Sequence, residues 1–340
     1  MKLIVQIPCY NEEATLPHVV ADIPRHIDGV DAVEILVVDD GSTDRTVEVA
    51  KALGVEHIVR QTRNRGLARA FRAGLDAALK AGADIIVNTD GDNQYAGADI
   101  PRLVRPILEG RADIVIGDRR TAEIAHFSPL KKWLQALGSA VVRRLSDTDV
   151  PDAVSGFRAM SRDAAIGLNI VSRFSYTVEM LIQAGRKRMA IVSVPVATNA
   201  VARPSRLFRS IPHFVARSVA TMVRIYAMYQ PLKVFAAVGA VLAVGGMLPI
   251  VRFLYFYLTG DGSGHIQSLI LGGTLVVLAF VAFLAGLVAD LIGFNRQLIE
   301  MTLEKVRAIE LQLADDNAAN ASHDATVDPM QTSQQRVKRS

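Results

Sequence analysis

Two stretches of the chain, Val234–Val251 and Leu269–Ala289, contain no charged residue, and this limits the possible folds more than any other feature. At roughly 1.5 Å per residue the second stretch makes a helix of about 31 Å, close to the thickness of a bilayer's hydrocarbon core. A helix that is apolar all round over such a length sits either in a protein core or in lipid. The pattern predicts two membrane spans, at about 234–258 and 267–292, within a hairpin of residues 233–293. Thr259–Gln267 carries Asp261 and His265 but no Lys or Arg, and reads as the short loop between them.

Basic residues orient the hairpin. Arg203, Arg206, Arg209, Arg217, Arg224 and Lys233 precede it with no Asp or Glu among residues 201–233, and Arg296, Lys305 and Arg307 follow it. Both ends are therefore expected in the cytoplasm of a multi-pass cell-membrane protein. Arg252 lies near the far end of the first span, where an arginine can snorkel to the opposite interface. The apolar run after Met1-Lys2 is too short for a signal peptide. Cys9 is the only cysteine, in keeping with a reducing compartment. The net charge of +4 is modest and its basic excess gathers before the first span. A bilayer surface or lipid phosphates account for that better than nucleic acid does.

Phe208, Ile211, Phe214, Val215, Val219, Met222, Val223 and Tyr226 recur at helical spacing among arginines. Residues 207–232 are thus expected to form a juxtamembrane region with an interfacial helix, although packing on the soluble domain fits the periodicity equally. Trp133 reads as a packing or interface residue. After the hairpin, Ile299, Leu303, Val306, Ile309 and Leu313 recur within an expected cytoplasmic helix over 294–313 and offer a contact for a homo-oligomer. Residues 314–340 show no core-forming pattern and are expected to be disordered.

Residues 1–206 mix charge and hydrophobe as a globular domain does. Strand-like Lys2–Ile7, Glu34–Asp39, Glu56–Arg60, Asp84–Thr89 and Asp113–Gly117 alternate with helix-like segments from about Glu12, Arg45–Leu53, Leu67–Ala81 and Ile100–Glu109. This order predicts an α/β fold with a mostly parallel sheet. Ligands bind such sheets at the C-terminal ends of the strands, which here carry Tyr10-Asn11-Glu12, Asp39-Asp40-Gly41-Ser42 and Asp90-Gly91-Asp92. Neither G-x-G-x-x-G nor G-x-x-x-x-G-K-[ST] follows the first strand, which argues against a dinucleotide enzyme and a P-loop kinase. Asp39 and Asp40 suit a ribose or base contact, or a cap on the next helix, where Ser42 or Thr43 could also serve. Asp90 and Asp92 can both reach one hard divalent cation and leave positions open for diphosphate oxygens. An EF-hand reading fails, because the sixth position from Asp90 is not glycine and the twelfth is Pro101.

Together, Ile7-Pro8-Cys9-Tyr10-Asn11-Glu12-Glu13, Val38-Asp39-Asp40-Gly41-Ser42-Thr43-Asp44, Asn88-Thr89-Asp90-Gly91-Asp92-Asn93-Gln94-Tyr95, Gly117-Asp118-Arg119 and Asp152-Ala153-Val154-Ser155-Gly156-Phe157-Arg158 resemble the glycosyltransferase family 2 enzymes of GT-A fold. The nearest branch is that of dolichol-phosphate mannose synthase-like polyprenyl-phosphate glycosyltransferases, over about residues 3–210. The resemblance implies metal-dependent, inverting transfer from a GDP- or UDP-sugar to a polyprenyl phosphate at the cytoplasmic face. It places Pro8, Tyr10, Glu12 and Asp39 or Asp40 in the nucleotide pocket, and Asp90, Asp92 and Gln94 on Mg²⁺ or Mn²⁺ against the donor diphosphate. Arg119, Ser155 and Arg158 would face the acceptor phosphate, and Asp152 would act as base or orient the acceptor. Arg203 and Arg206 occupy a basic loop that is shorter than the family's and lacks its glycine; anchoring at the bilayer competes with a phosphate role there. A processive polysaccharide synthase would carry Q-x-x-R-W and more spans. A non-catalytic nucleotide-sugar-binding subunit would be favoured by loss of a metal carboxylate, and both are retained.

Overall fold

The computed structural model describes residues 1–119, 139–140, 142–144, 146–170, 176–199, 224, 227–260 and 265–337, with side chains as far as residue 313. Trp133, Arg203, Arg206 and most of the expected interfacial helix lie outside the described residues. The chain groups into two compact units, Met1–Leu207 with Leu303–Ser340, and Phe208–Thr302.

The first unit alternates strand and helix: β1 (Lys2–Cys9), α1 (Leu16–Asp22), β2 (Ala32–Asp39), α2 (Thr46–Ala52), β3 (His57–Arg60), α3 (Leu67–Lys80), β4 (Ile85–Asn88), α4 (Ile100–Leu108), β5 (Ile114–Asp118), β6 (Arg158–Ser161), α5 (Arg162–Gly167), α6 (Tyr176–Arg186) and β7 (Ile191–Pro195). The strands form one 7-stranded sheet in the order β3-β2-β1-β4-β6-β5-β7. All neighbours pair in parallel except β6, which runs antiparallel to both β4 and β5. β1 lies inside the sheet between β2 and β4, and every residue after Lys2 in it is buried, as a strand covered on both faces must be. On α3, the buried Ala68, Phe71, Leu75, Ala78 and Leu79 fall on one face. At Gly74 a Cβ would come within 2.4 Å of Gln6 Oε1, so the missing side chain lets the helix lie close on β1. α1 begins at Leu16 rather than near Glu12, because Asn11 takes a left-handed φ of 55° and turns the chain first.

The second unit contains α7 (Pro231–Leu258) and the membrane portion of α8 (Ile266–Val337). Only 11% of the most apolar window of each is buried, and both helices are long and apolar enough to cross a membrane. The helices meet along small residues. A Cβ on Gly246 would lie 2.8 Å from Gly272 O, one on Gly239 3.1 Å from Ala279 O, and one on Gly286 2.6 Å from Phe235 Cβ. Such residues let helix backbones approach where lipid supplies no hydrophobic drive.

The second apolar stretch runs without interruption into the helix expected over 294–313, and the α8 backbone stays helical to Val337, within the stretch expected to be disordered. No glycine or proline lies between Asn295 and Asp328 to stop it. Within the first unit, α8 packs on α3, α5 and α6. Glu304 pairs with Lys187, Arg307 with Asp76, and Glu310 with Lys80 at 3.0 Å, while Leu311 is buried. Arg307 also donates to Leu168 O (3.2 Å), meeting an orphan carbonyl just past the end of α5.

Candidate active site

Three turns at the C-terminal ends of β1, β2 and β4 are laced into one crevice. Asn11 donates its N–H to Ser42 Oγ (2.9 Å) and accepts from Thr43 N (2.8 Å). Glu12 N donates to Thr46 Oγ1 (2.9 Å), and Thr15 Oγ1 donates to Gly91 O (2.7 Å). Gly91 is needed for this closeness, since a Cβ there would lie 3.0 Å from Cys9 Sγ and 3.2 Å from Glu12 Cγ. Ser42 therefore anchors the neighbouring turn instead of capping α2, whose first residue, Thr46, gives its N–H to Asp44 (3.0 Å).

Asp39 and Asp40 diverge. Asp40 accepts from the N–H groups of Arg65 and Gly66, both at 2.8 Å, so its two oxygens are spent on the entry to α3. Asp39 uses Oδ1 to accept from Ser42 N (3.0 Å), whereas its buried Oδ2 has no hydrogen bond. Of the two carboxylates, Asp39 is the one with a buried oxygen left over. Gly41 holds a φ of +73°, and a Cβ on it would strike the Arg63 backbone at 2.4 Å. Pro8 is buried in β1, Glu12 is buried behind it, and Tyr10 stands at the rim, 38% exposed.

Asp90 and Asp92 share the turn after β4. The Asp90 pKa is pushed up to about 7, first by burial and then by the negative charge of Asp92. Its carboxylate lies against Gly156, where a Cβ would come within 2.9 Å of Oδ2. Asp92 accepts from Gln94 N at 3.2 Å, and Asn93 turns the chain with a φ of 60°. Gln94 thus serves the turn through its main chain. The segment after β7 closes this turn from outside, with Asn199 N donating to Gln94 O (2.9 Å) and Asn199 Nδ2 to Asn93 O (3.1 Å). Two adjacent carboxylates form a hard oxygen donor set that suits Mg²⁺ or Mn²⁺. Among the described residues no cluster of three or more His, Cys, Asp or Glu could hold a metal.

Beside this pair, Arg119 grips Asp152 bidentately, Nε to Oδ2 at 2.7 Å and Nη2 to Oδ1 at 3.0 Å. Asp152 is only 2% exposed, with both oxygens engaged, so the structure makes it an anchor for Arg119 rather than an open base. Burial works to lower the Arg119 pKa, but Tyr95, Asp152 and Asp90 raise it, and the guanidinium stays charged.

The expectation that Arg158 and Ser155 face an acceptor phosphate is corrected by their burial, 0% exposed in each case. Arg158 donates to Ser155 O (2.7 Å), Ala153 O (2.8 Å) and Thr177 O (2.8 Å), so it knits the 153–156 turn from beneath. The charge was legible in the sequence, but the side of the strand it occupies was not.

Two supporting residues escaped the sequence reading. Asn88 accepts from Gln6 Nε2 (2.9 Å) and donates to Gly156 O (2.7 Å), and Tyr95 OH accepts from Gly156 N (2.9 Å). Gly156 is thereby fixed against Asp90 from both sides. The signal was there, since Gln6 and Asn88 are polar residues inside buried strands and fall opposite one another in register.

The family model of Glycosyl transferase family 2 matches residues 4–168. An undecaprenyl-phosphate mannosyltransferase of Micrococcus luteus is 31% identical over 206 residues, covering 58% of this chain and 83% of that one. A UDP-N-acetylglucosamine–dolichyl-phosphate N-acetylglucosaminyltransferase of Methanococcus voltae is 32% identical over 216 residues, covering 56% and 83%. Among solved structures, glucosyl-3-phosphoglycerate synthase from Mycobacterium tuberculosis, crystallised with Mn²⁺, UDP-glucose and phosphoglyceric acid, superposes with a TM-score of 0.50 at 26% identity, covering 65% of this chain and 79% of that one. With the crevice built as described and these likenesses spanning it, the chain is a glycosyltransferase of GT-A fold and belongs to glycosyl transferase family 2.

Proposed function

We propose that this protein transfers a sugar from a nucleoside diphosphate sugar to a polyprenyl phosphate at a membrane. The observation that carries the reading is the Asp90–Asp92 turn set beside the Arg119–Asp152 pair, in a chain that also has two helices long enough to cross a bilayer. The two relatives named for lipid-phosphate acceptors support that acceptor class, and their different sugars leave the donor open.

Asp39 would receive an N–H of the nucleobase, with Pro8, Tyr10 and Glu12 around it, while Asp90 and Asp92 would hold Mg²⁺ or Mn²⁺. A bound divalent ion would neutralise charge on the departing diphosphate. Arg119, oriented by Asp152, would draw the acceptor phosphate toward the donor. A phosphomonoester has its second pKa near about 6, so the acceptor is largely a dianion at neutral pH and attacks without a protein base. One in-line displacement of this kind inverts the anomeric carbon. The basic residues around the hairpin favour a catalytic unit and both termini in the cytoplasm.

The test is to incubate membranes containing the protein with radiolabelled GDP- and UDP-sugars, polyprenyl phosphate and Mg²⁺, and to count label in the organic phase. Transfer from one donor, removed by chelation and cut by about a hundredfold or more in Asp92→Ala, is expected. Intact nucleotide binding without lipid-soluble label from any donor would instead favour a binding subunit or another acceptor.

A further inference from the structure

Asp39 Oδ2 is buried without a hydrogen bond, and leaving a carboxylate oxygen so costs free energy unless something answers it. The nearest cation is Arg60, whose Nε lies 3.6 Å away, too far for a hydrogen bond. Arg60 is the last residue of the edge strand β3 and sits opposite Asp39 in register, at the sheet end where the crevice opens. The Asp39 side chain is 0% exposed, whereas that of Arg60 is 63% exposed. The arginine therefore covers the carboxylate loosely, from the solvent side, with a long side chain that can swing away.

We infer that Arg60 is a donor-binding residue that shields Asp39 in the free protein and packs its guanidinium on the nucleobase once the base takes over Asp39. This rests on the nucleotide-sugar reading above. A planar, weakly hydrated guanidinium stacks on a ring face while keeping its charge. A nucleobase N–H supplies the hydrogen bond that Asp39 Oδ2 lacks. One residue thus serves two states, and the nucleotide exchanges a poor partner of the carboxylate for a good one. A plain surface ion pair would leave nucleotide affinity unchanged when broken.

The experiment is calorimetric titration of the full-length protein in detergent with GDP and with UDP, in Mg²⁺, alongside Arg60→Ala, Arg60→Lys and the exposed control Arg105→Ala. The wild type and Arg105→Ala are expected to bind one diphosphate alike. Arg60→Ala should weaken that binding about tenfold, and Arg60→Lys should fall between, because it keeps charge but loses the plane. Acceptor KM should not move in any of them. Arg60→Ala within twofold of the wild type overturns the inference, and so does Arg60→Lys at wild-type affinity should the alanine variant fail to fold. Absence of binding by the wild type to either nucleotide defeats the nucleotide-sugar reading itself, a result distinct from both.

Discussion

Asp90 is held in its metal-free form against its own preference for charge. A folded pKa of about 7, against about 3.9 for a free carboxylate, means that the folded chain keeps a proton which the unfolded chain releases between those values. The Asp90 contribution to the stability of the metal-free protein therefore falls as pH rises from about 4 to about 7 and levels off above. Asp90→Asn removes that titration. In chelator it should melt above the wild type at pH 8, with the gap closing toward pH 4, while transferase activity is lost. A gap of equal size at both pH values would refute the assignment. That Asp90 and Asp92 share one turn at a strand end was legible, because alternate acids directly follow an apolar run. The surroundings of Arg158 and Asp152 were not legible, because a sequence shows charge without direction: one guanidinium points into the fold and binds carbonyls, and one carboxylate is taken by Arg119.

At the scale of elements, the spans could be read from charge depletion alone, but their seam could not, because it depends on the register of two helices across a turn. Gly246 and Gly245 are neighbours in sequence and opposites in space. A Cβ on Gly246 meets Gly272, Leu275 and Val276, and one on Gly245 meets nothing within 4 Å. Gly246→Leu should lower the melting temperature in detergent, by about 1–3 kcal/mol of overpacking, and Gly245→Leu should leave it within a degree or two. Equal effects would mean that α7 and α8 do not meet along this face. The strands as far as β5 were legible from their apolar runs, whereas β6, which lies between β4 and β5 in the order, depends on a strand reversal that no local pattern announces.

For the molecule as a whole, α8 is one helix that belongs to both units, with its residues from Leu303 grouped with the catalytic domain. A chain ended at Thr302 gives up buried Leu311 and three ion pairs, and should lose about 2 kcal/mol of catalytic-unit stability. Faster limited proteolysis of residues 1–199 is the expected readout, and an unchanged rate would show that the packing of α8 adds nothing. The antiparallel β6 has a separate consequence. β5 ends and β6 begins at the same sheet edge, and the Arg119–Asp152 pair pins together the two ends of the chain between them. Loop closure depends only weakly on length, so the sheet itself sets little limit on how much chain can join those two ends, which the Arg119–Asp152 pair holds wherever the chain between them is lengthened or shortened.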